Sequence, residues 1–406
     1  MLQRKANTYR LYPDTSQRET LARIAGACRM VYNLALEQRR DWWQRHKITT
    51  GKSISFAGQC RELTTLRQEA DWLREAPIHP LQQALRDLDK AYQSFFSGRG
   101  GYPSPRRKGR NDSFRFPDPA SLRAERTGKR TGRIKLPKLG WITFRGWYSL
   151  PGKIRNVTVS RRAGQWFASV QCEKDCVEPT PSALPAVGID MGISVFAALS
   201  SGANIAPGNY GKKARCALRK AQRAVSRKKK GSNNRRKAVQ RVQKLHRKIA
   251  NARKDFLHKV STAIAKNHGI VVVEDLRIQN MSASAKGTAE EPGRNIRQKS
   301  GLNRSILDQA WGLFLTLLHY KLAERGAKLV RVPPAYTSQT CSVCGYVDGK
   351  SRASQARFAC VACGYIDNAD TNAARNILRR ADSPLKPVEG YCTKQPVEAG
   401  STGIAA

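Results

Sequence analysis

The chain has 406 residues, 40% of them apolar, which is enough for two or more domains with substantial cores. Its 74 Lys+Arg outweigh 30 Asp+Glu to a net charge of +44, a field that steers polyanions to the surface and makes nucleic acid the expected counter-ion. Mean hydropathy is -0.56, no apolar run reaches membrane-span length, and Met1-Leu2-Gln3-Arg4-Lys5 leads into no apolar secretory core, so membrane and exported classes are set aside and a cytoplasmic protein, nucleoid-associated when bound to DNA, is expected.

Residues 4–12 mix basic and aromatic side chains and read as a first strand. Ser16 with Glu19 forms a candidate capping box, and Leu21, Ile24, Ala25, Cys28, Val31, Tyr32 and Ala35 recur at helical spacing, predicting a helix over 17–45. Further helical patterns surround Leu63 to Leu73 and Leu81 to Phe96, so residues 15–97 read as a small helical bundle. The Gly/Pro/Arg-rich stretch from 98 to 110 reads as a loop suited to a phosphate backbone. Four short β patterns follow (133–136, 141–144, 157–159 and 166–170) and predict a small barrel with Arg and Lys on its polar faces. Residues 174–186 hold three prolines and read as a linker.

Val187-Gly188-Ile189-Asp190 is an apolar run that ends on a carboxylate. Gly192 and the run Val195 to Leu199 follow, so two buried strands joined by a tight turn are expected. An unpaired acid at the end of a buried strand is costly, so something cationic should meet Asp190. Residues 211–260 carry twenty Lys/Arg and the single acid Asp255. Apolar stripes at Leu218, Ala221 and Val225, then from Val242 to Val260, predict a helical hairpin broken at 231–234, with a basic face for nucleic acid. Ile270 to Val273 is a second buried strand, again ending in acid, at Glu274. Residues 281–300 read as a mobile loop, 306–322 as a helix, 328–332 as a strand, and 383–406 as a disordered tail.

Six of the ten cysteines are scattered, and four form two C-x-x-C knuckles: Cys341/Cys344 and Cys360/Cys363, with fifteen residues between Cys344 and Cys360. Four thiolates so spaced close a tetrahedron around one structural zinc, leaving no open position for catalysis. A last helix, marked by Ala373, Ala374, Ile377 and Leu378, carries Asp370 near its start. By itself that acid reads as a helix cap. With Asp190 and Glu274 it reads differently. Strand–turn–strand with Asp, a later strand with Glu and a final helix with Asp is the order of an RNase H-like fold. Three such carboxylates can hold two magnesium ions ~3.5–4 Å apart for phosphodiester hydrolysis.

The chain resembles the transposon-encoded TnpB family, relatives of type V CRISPR effectors. The resemblance rests on Tyr9-Arg10-Leu11-Tyr12-Pro13, Val31-Tyr32-Asn33, Gly188-Ile189-Asp190-Met191-Gly192, Val273-Glu274-Asp275-Leu276, Thr337-Ser338-Gln339-Thr340-Cys341 and the run from Asp370 to Ile377. It implies an α/β RuvC nuclease domain of RNase H-like fold (181–336 and 367–382) with an inserted zinc ribbon (337–366). It further implies a helical recognition lobe (15–110) and a β-barrel wedge domain (1–14 and 111–180). Asp190, Glu274 and Asp370 carry over as catalytic acids, with Asp275 and Asp367 secondary. The resemblance also implies a guide RNA from the transposon end and cleavage of double-stranded DNA beside a short adjacent motif by a monomeric ribonucleoprotein. Competing readings are a DNA transposase using the same acids for strand transfer, a non-catalytic nucleic-acid-binding regulator, and a miniature CRISPR-associated effector.

Overall fold

The structure, a computed structural model, describes residues 2–110, 112–146, 152–288 and 290–381. The tail expected to be disordered, 383–406, lies outside the described residues. The chain divides into two compact units, Met1–Val177 and Glu178–Ala406.

In the first unit, β1 (Leu2–Tyr12) leads into α1 (Thr15–Arg45), followed by α2 (Lys47–Thr50), α3 (Phe56–Glu69), α4 (Asp71–Glu75) and α5 (Ile78–Phe96). The capping box stands two residues earlier than the sequence suggests. The Asp14 carboxylate accepts from the Gln17 amide at 2.8 Å, and the Gln17 side chain accepts from the Asp14 amide at 3.2 Å. Asp14 has the extended backbone that a cap needs, with φ −68° and ψ −175°. Six more strands complete a seven-stranded antiparallel sheet: β2 (Ser113–Phe116), β3 (Arg123–Arg126), β4 (Thr131–Leu136), β5 (Gly140–Arg145), β6 (Lys153–Arg162) and β7 (Gln165–Asp175). Their order is β2-β6-β7-β1-β5-β4-β3. Strand β1 is the central strand, pairing with β7 along Leu2 to Arg10 and with β5 along Arg10 to Tyr12. One core unites the inward residues of the helices, such as Leu21, Ile24, Leu81 and Leu88, with those of the strands, such as Phe116, Ile134, Phe144 and Val157.

The second unit is built on a five-stranded sheet of β8 (Ala186–Asp190), β9 (Ala197–Leu199), β10 (Asn204–Ile205), β11 (Ile270–Glu274) and β12 (Lys328–Val332), in the order β10-β9-β8-β11-β12. Strands β8, β11 and β12 run parallel, and β9 and β10 are antiparallel additions. Because side chains alternate across a strand, the sheet has two faces. Val187, Ile189, Val271 and Val273 join the larger core with α7 (Asn233–Asn267) and α10 (Trp311–Ala323). Val272 and Val332 face the other way, against Ile377 of α11 (Ala369–Arg379).

Gly188 belongs to that second face. A Cβ there would lie 2.1 Å from the Ala374 carbonyl oxygen and 2.8 Å from the Leu378 amide, both backbone atoms of α11. No side-chain motion relieves such a clash. Gly188→Ala is therefore expected to destabilise the protein by about 3 kcal/mol or more. Urea unfolding checks this, and a loss below ~1 kcal/mol would mean that α11 does not sit on β8 as described.

The basic segment forms α6 (Tyr210–Ser226) and α7, which pack on each other. Ser232 caps α7 by accepting from the Arg235 amide. Asp308 accepts from the amides of Gly211 and Lys212 and pairs with Arg253, tying the base of the hairpin together. Lys212, Lys213, Arg219, Lys220, Arg241, Lys244 and Lys248 are exposed along it. Buried Lys321 donates at 2.7 Å to His258 O, Ser261 Oγ and Thr262 Oγ1, joining α10 to α7, and burial lowers its pKa to about 8.

Between β11 and α10 two expectations are corrected. After the short α8 (Ile278–Met281), residues 296–309 form helix α9 (Ile296–Gln309), where a mobile loop was expected to reach 300. The predicted helix over 306–322 is two helices, separated at Ala310, whose φ of 54° is left-handed. A non-glycine residue rarely takes that conformation, and here it turns the chain so that Trp311 and Phe314 are buried.

Candidate active site and metal centre

The pleat accounts for the site. Gly188 and Asp190 lie on one face of β8, and Val272 and Glu274 on the matching face of β11. The ladder pairs Val272 with Gly188 and Val273 with Ile189. The next step along it brings Asp190 and Glu274 to neighbouring strand ends. Helix α11 covers this face and presents Asp370 from its first turn. All three acids line one cleft of about 280 Å³, with Met191, Ser194, Thr337, Ser338, Arg352 and Gln355 among its other walls.

Asp370 is not the cap of its helix. Asn368 is, with its side-chain oxygen accepting from the amides of Asp370 at 3.0 Å and Thr371 at 3.2 Å. The Asp370 carboxylate is thereby left for the cleft. Glu274 is buried and accepts from the Thr337 hydroxyl at 2.5 Å, which holds one carboxylate oxygen.

The three carboxyls all titrate above the ordinary carboxylate range. Burial raises Asp190 first, and the charges of Glu274 and Asp370 then add to it, bringing it to about 7. Burial also raises Glu274, against the Thr337 hydrogen bond, and raises Asp370. Among the described residues, Arg352 is the one basic side chain that favours the ionised form of all three. Its guanidinium stands 4.0 Å from Asp370. Asp275 and Asp367 do not line the cleft: Asp275 pairs with Arg331 at 3.2 Å, and Asp367 with Arg375 at 2.8 Å and the Tyr365 hydroxyl at 2.8 Å.

A cleft of carboxylate oxygens, partly buried and under-neutralised, is the donor chemistry that suits a hard divalent cation. The acids share the cleft without drawing into one tight cluster. Among the described residues, the compact cluster of His, Cys, Asp or Glu is that of the four cysteines, whose sulfurs all lie within 4.8 Å of one another. Thiolates ~2.3 Å from a common centre sit ~3.8 Å apart. Cys341 and Cys363 are separated by 3.7 Å, and Cys344 and Cys360 by 3.6 Å. The amides of Val343 and Cys363 donate to Cys341 and Cys360 at 3.5 Å each. The Cys363 amide leads the effects that draw Cys360 down to about 6. Cys363 moves the opposite way. The Tyr365 amide lowers it, but contact with the other thiols pushes it up to about 12, because four crowded sulfurs cannot all ionise without a cation. The tetrad fits zinc.

The ribbon and α11 are fastened together. Asn372, fully buried, accepts from the Ser342 amide at 2.9 Å and donates to Thr340 O at 2.8 Å. Asn376 donates to Thr337 O at 3.0 Å and Thr340 O at 2.6 Å. The hairpin of β13 (Arg357–Ala359) and β14 (Ile366–Asn368) runs straight into the Asn368 cap. Sequence reading missed Thr337 and Arg352 as parts of the site. Thr337 opens the quoted motif before the first knuckle, a usable signal. Arg352 is one of 74 basic residues, and nothing in its neighbourhood marks it out.

The chain is 42% identical over 400 residues to a protein of Escherichia coli K12 named "Putative RNA-guided DNA endonuclease InsQ", covering 98% of this chain and 97% of that protein. The chain belongs to the TnpB family. A second relative of this TnpB chain, "Putative RNA-guided DNA endonuclease" of Streptomyces pristinaespiralis, is 38% identical over 92% of the chain and 89% of its own length. Family models match residues 169–285 ("Probable transposase"), 311–377 ("Cas12f1-like, TNB domain") and 1–47 ("Helix-turn-helix domain"). In the last of these, the chain has a strand and one long helix, β1 and α1. Among solved structures, the TnpB fold matches the "Cas12f1-sgRNA-target DNA complex" with a TM-score of 0.55 at 13% identity, covering 93% of this chain and 98% of that one. That likeness establishes a Cas12-like fold. No helix among the described residues is long and apolar enough to cross a membrane.

Proposed function

We propose that this chain is an RNA-guided DNA endonuclease of a transposable element, with Asp190, Glu274 and Asp370 as its catalytic acids. The observation that carries this is the meeting of three carboxyls, from three separate elements, in one under-neutralised cleft. The names of the two long relatives and the net charge of +44 support RNA and double-stranded DNA as partners. Residues 181–336 and 367–382 are read as a RuvC-like nuclease of RNase H-like fold and 337–366 as its zinc ribbon. Residues 15–110 are read as the recognition lobe, and 1–14 with 111–180 as a β-barrel wedge.

Asp190, which feels both other acids, would hold the ion together with Glu274 and Asp370. Magnesium held there supplies Lewis-acid activation of water and of the leaving oxygen. The chain's own work is to hold Glu274 through Thr337 and to keep Asp190 largely buried beside the other two acids. Guide pairing supplies sequence specificity and the protein reads a short adjacent motif, as a monomeric ribonucleoprotein. The exposed basic hairpin of α6 and α7 suits a phosphate backbone.

The test is to co-express the full chain with the transcript of its transposon end and measure RNA by the ratio of absorbance at 260 to 280 nm. Cleavage of DNA matching that RNA is then assayed with and without magnesium. RNA is expected to co-purify, and only matched DNA should be cut, and only with the ion. RNA-free protein that cuts equally well would favour the strand-transfer reading instead.

A further inference from the structure

We propose that Arg352 is the resident counter-cation of the carboxylate cleft, and that a divalent ion enters by displacing it. The proposal rests on the metal-site reading above. Arg352 follows the short turn Gly349–Ser351 in the segment between the two cysteine knuckles. That turn is held down. Ser351 is fully buried and accepts from the Val361 amide of the second knuckle at 3.3 Å, and Asp348 caps the turn. The ribbon thus delivers a cation to a cleft built by the sheet and α11.

How that cation is bound matters. Its side chain keeps 33% of its exposure and lies 4.0 Å from Asp370, a charge contact and not a hydrogen bond. Among the described residues the guanidinium has no hydrogen-bond partner. The neighbouring arginines differ: Arg375 is bonded to Asp367 and Tyr365, and Arg380 to Pro333 O. A guanidinium that balances several carboxylates without being locked to one can leave without breaking a hydrogen bond. Once divalent charge occupies the cleft, the same guanidinium opposes it. At this range a unit charge changes the affinity for a divalent ion about tenfold. Arg352 therefore sets a threshold: it keeps the acids partly neutralised while no ion is bound and weakens ion binding by its charge.

The experiment is a titration of the full-length, zinc-loaded chain, stripped of nucleic acid, with Mn²⁺ alone, counting free ion by electron paramagnetic resonance. Arg352→Gln should bind Mn²⁺ about tenfold more tightly than the unaltered chain, Arg352→Glu more tightly still, and Arg352→Lys within about twofold of it. Zinc content is measured on each variant, and the series is read on those that retain it. Equal or weaker binding by Arg352→Gln and Arg352→Glu overturns the proposal. Asp190→Asn is the separate control and should remove this class of Mn²⁺ site. If it leaves binding untouched, the carboxylate metal reading itself fails.

Discussion

Asp190→Asn is expected to lower DNA cleavage by on the order of 10³-fold or more, while making the ion-free protein more stable at pH 8. Both effects have one source. Folding carries Asp190 from an ordinary carboxylate range up to about 7, through burial and then through the charges of Glu274 and Asp370. A raised carboxyl is harmless below the unfolded pKa, near 4, where it is protonated in both states. Its penalty grows as pH rises and is complete above about 7, on the order of 4 kcal/mol. Asparagine keeps the shape and never ionises. The melting temperatures of variant and unaltered chain should therefore coincide near pH 4 and separate by several degrees at pH 8, the variant melting higher. Magnesium should close the gap by stabilising the unaltered chain alone. RNA binding should persist, since no phosphate contact is removed. A gap that ignores pH, or a variant that still cuts, would remove Asp190 from the role assigned to it.

Cys360→Ser carries the other large effect. The ribbon's core is three buried residues of its own, Cys341, Phe358 and Cys360, with Ala369 of α11, far too few to stand unaided. Binding energies of structural zinc sites, about 10–16 kcal/mol in small peptides, are of the size needed to hold such a module together. Losing one thiolate should release the metal, unfold residues from the first knuckle to β14, and loosen the Asn368 cap that aims Asp370. Zinc by mass spectrometry should fall from one per chain to below about a tenth, with cleavage reduced at least about 100-fold. Retained zinc would mean that the ligand set is wrong.

Asp190 and Glu274 were legible because each ends an apolar run, and a strand that closes on an acid is a local pattern. The cysteine tetrad was legible for the same reason, spacing along the chain being enough. Asp370 was ambiguous: an acid in a first helical turn looks like a cap, and only the Asn368 bonds to the Asp370 and Thr371 amides show that the cap is already filled. The turn at Ala310 was hidden because apolar periodicity runs through it, and a left-handed alanine leaves no trace in composition. Arg352 could not be read at all. Its meaning lies in what faces it across the cleft, and one-dimensional spacing does not carry that.

The close seating of α11 on Gly188 also bears on timing. On the ribosome, Asp190 and Glu274 both emerge well ahead of Asp370, so the nascent chain holds two of its acids while the position covered by α11 is bare. The three-acid cleft is complete only once α11, which follows the ribbon in the chain, is seated on β8.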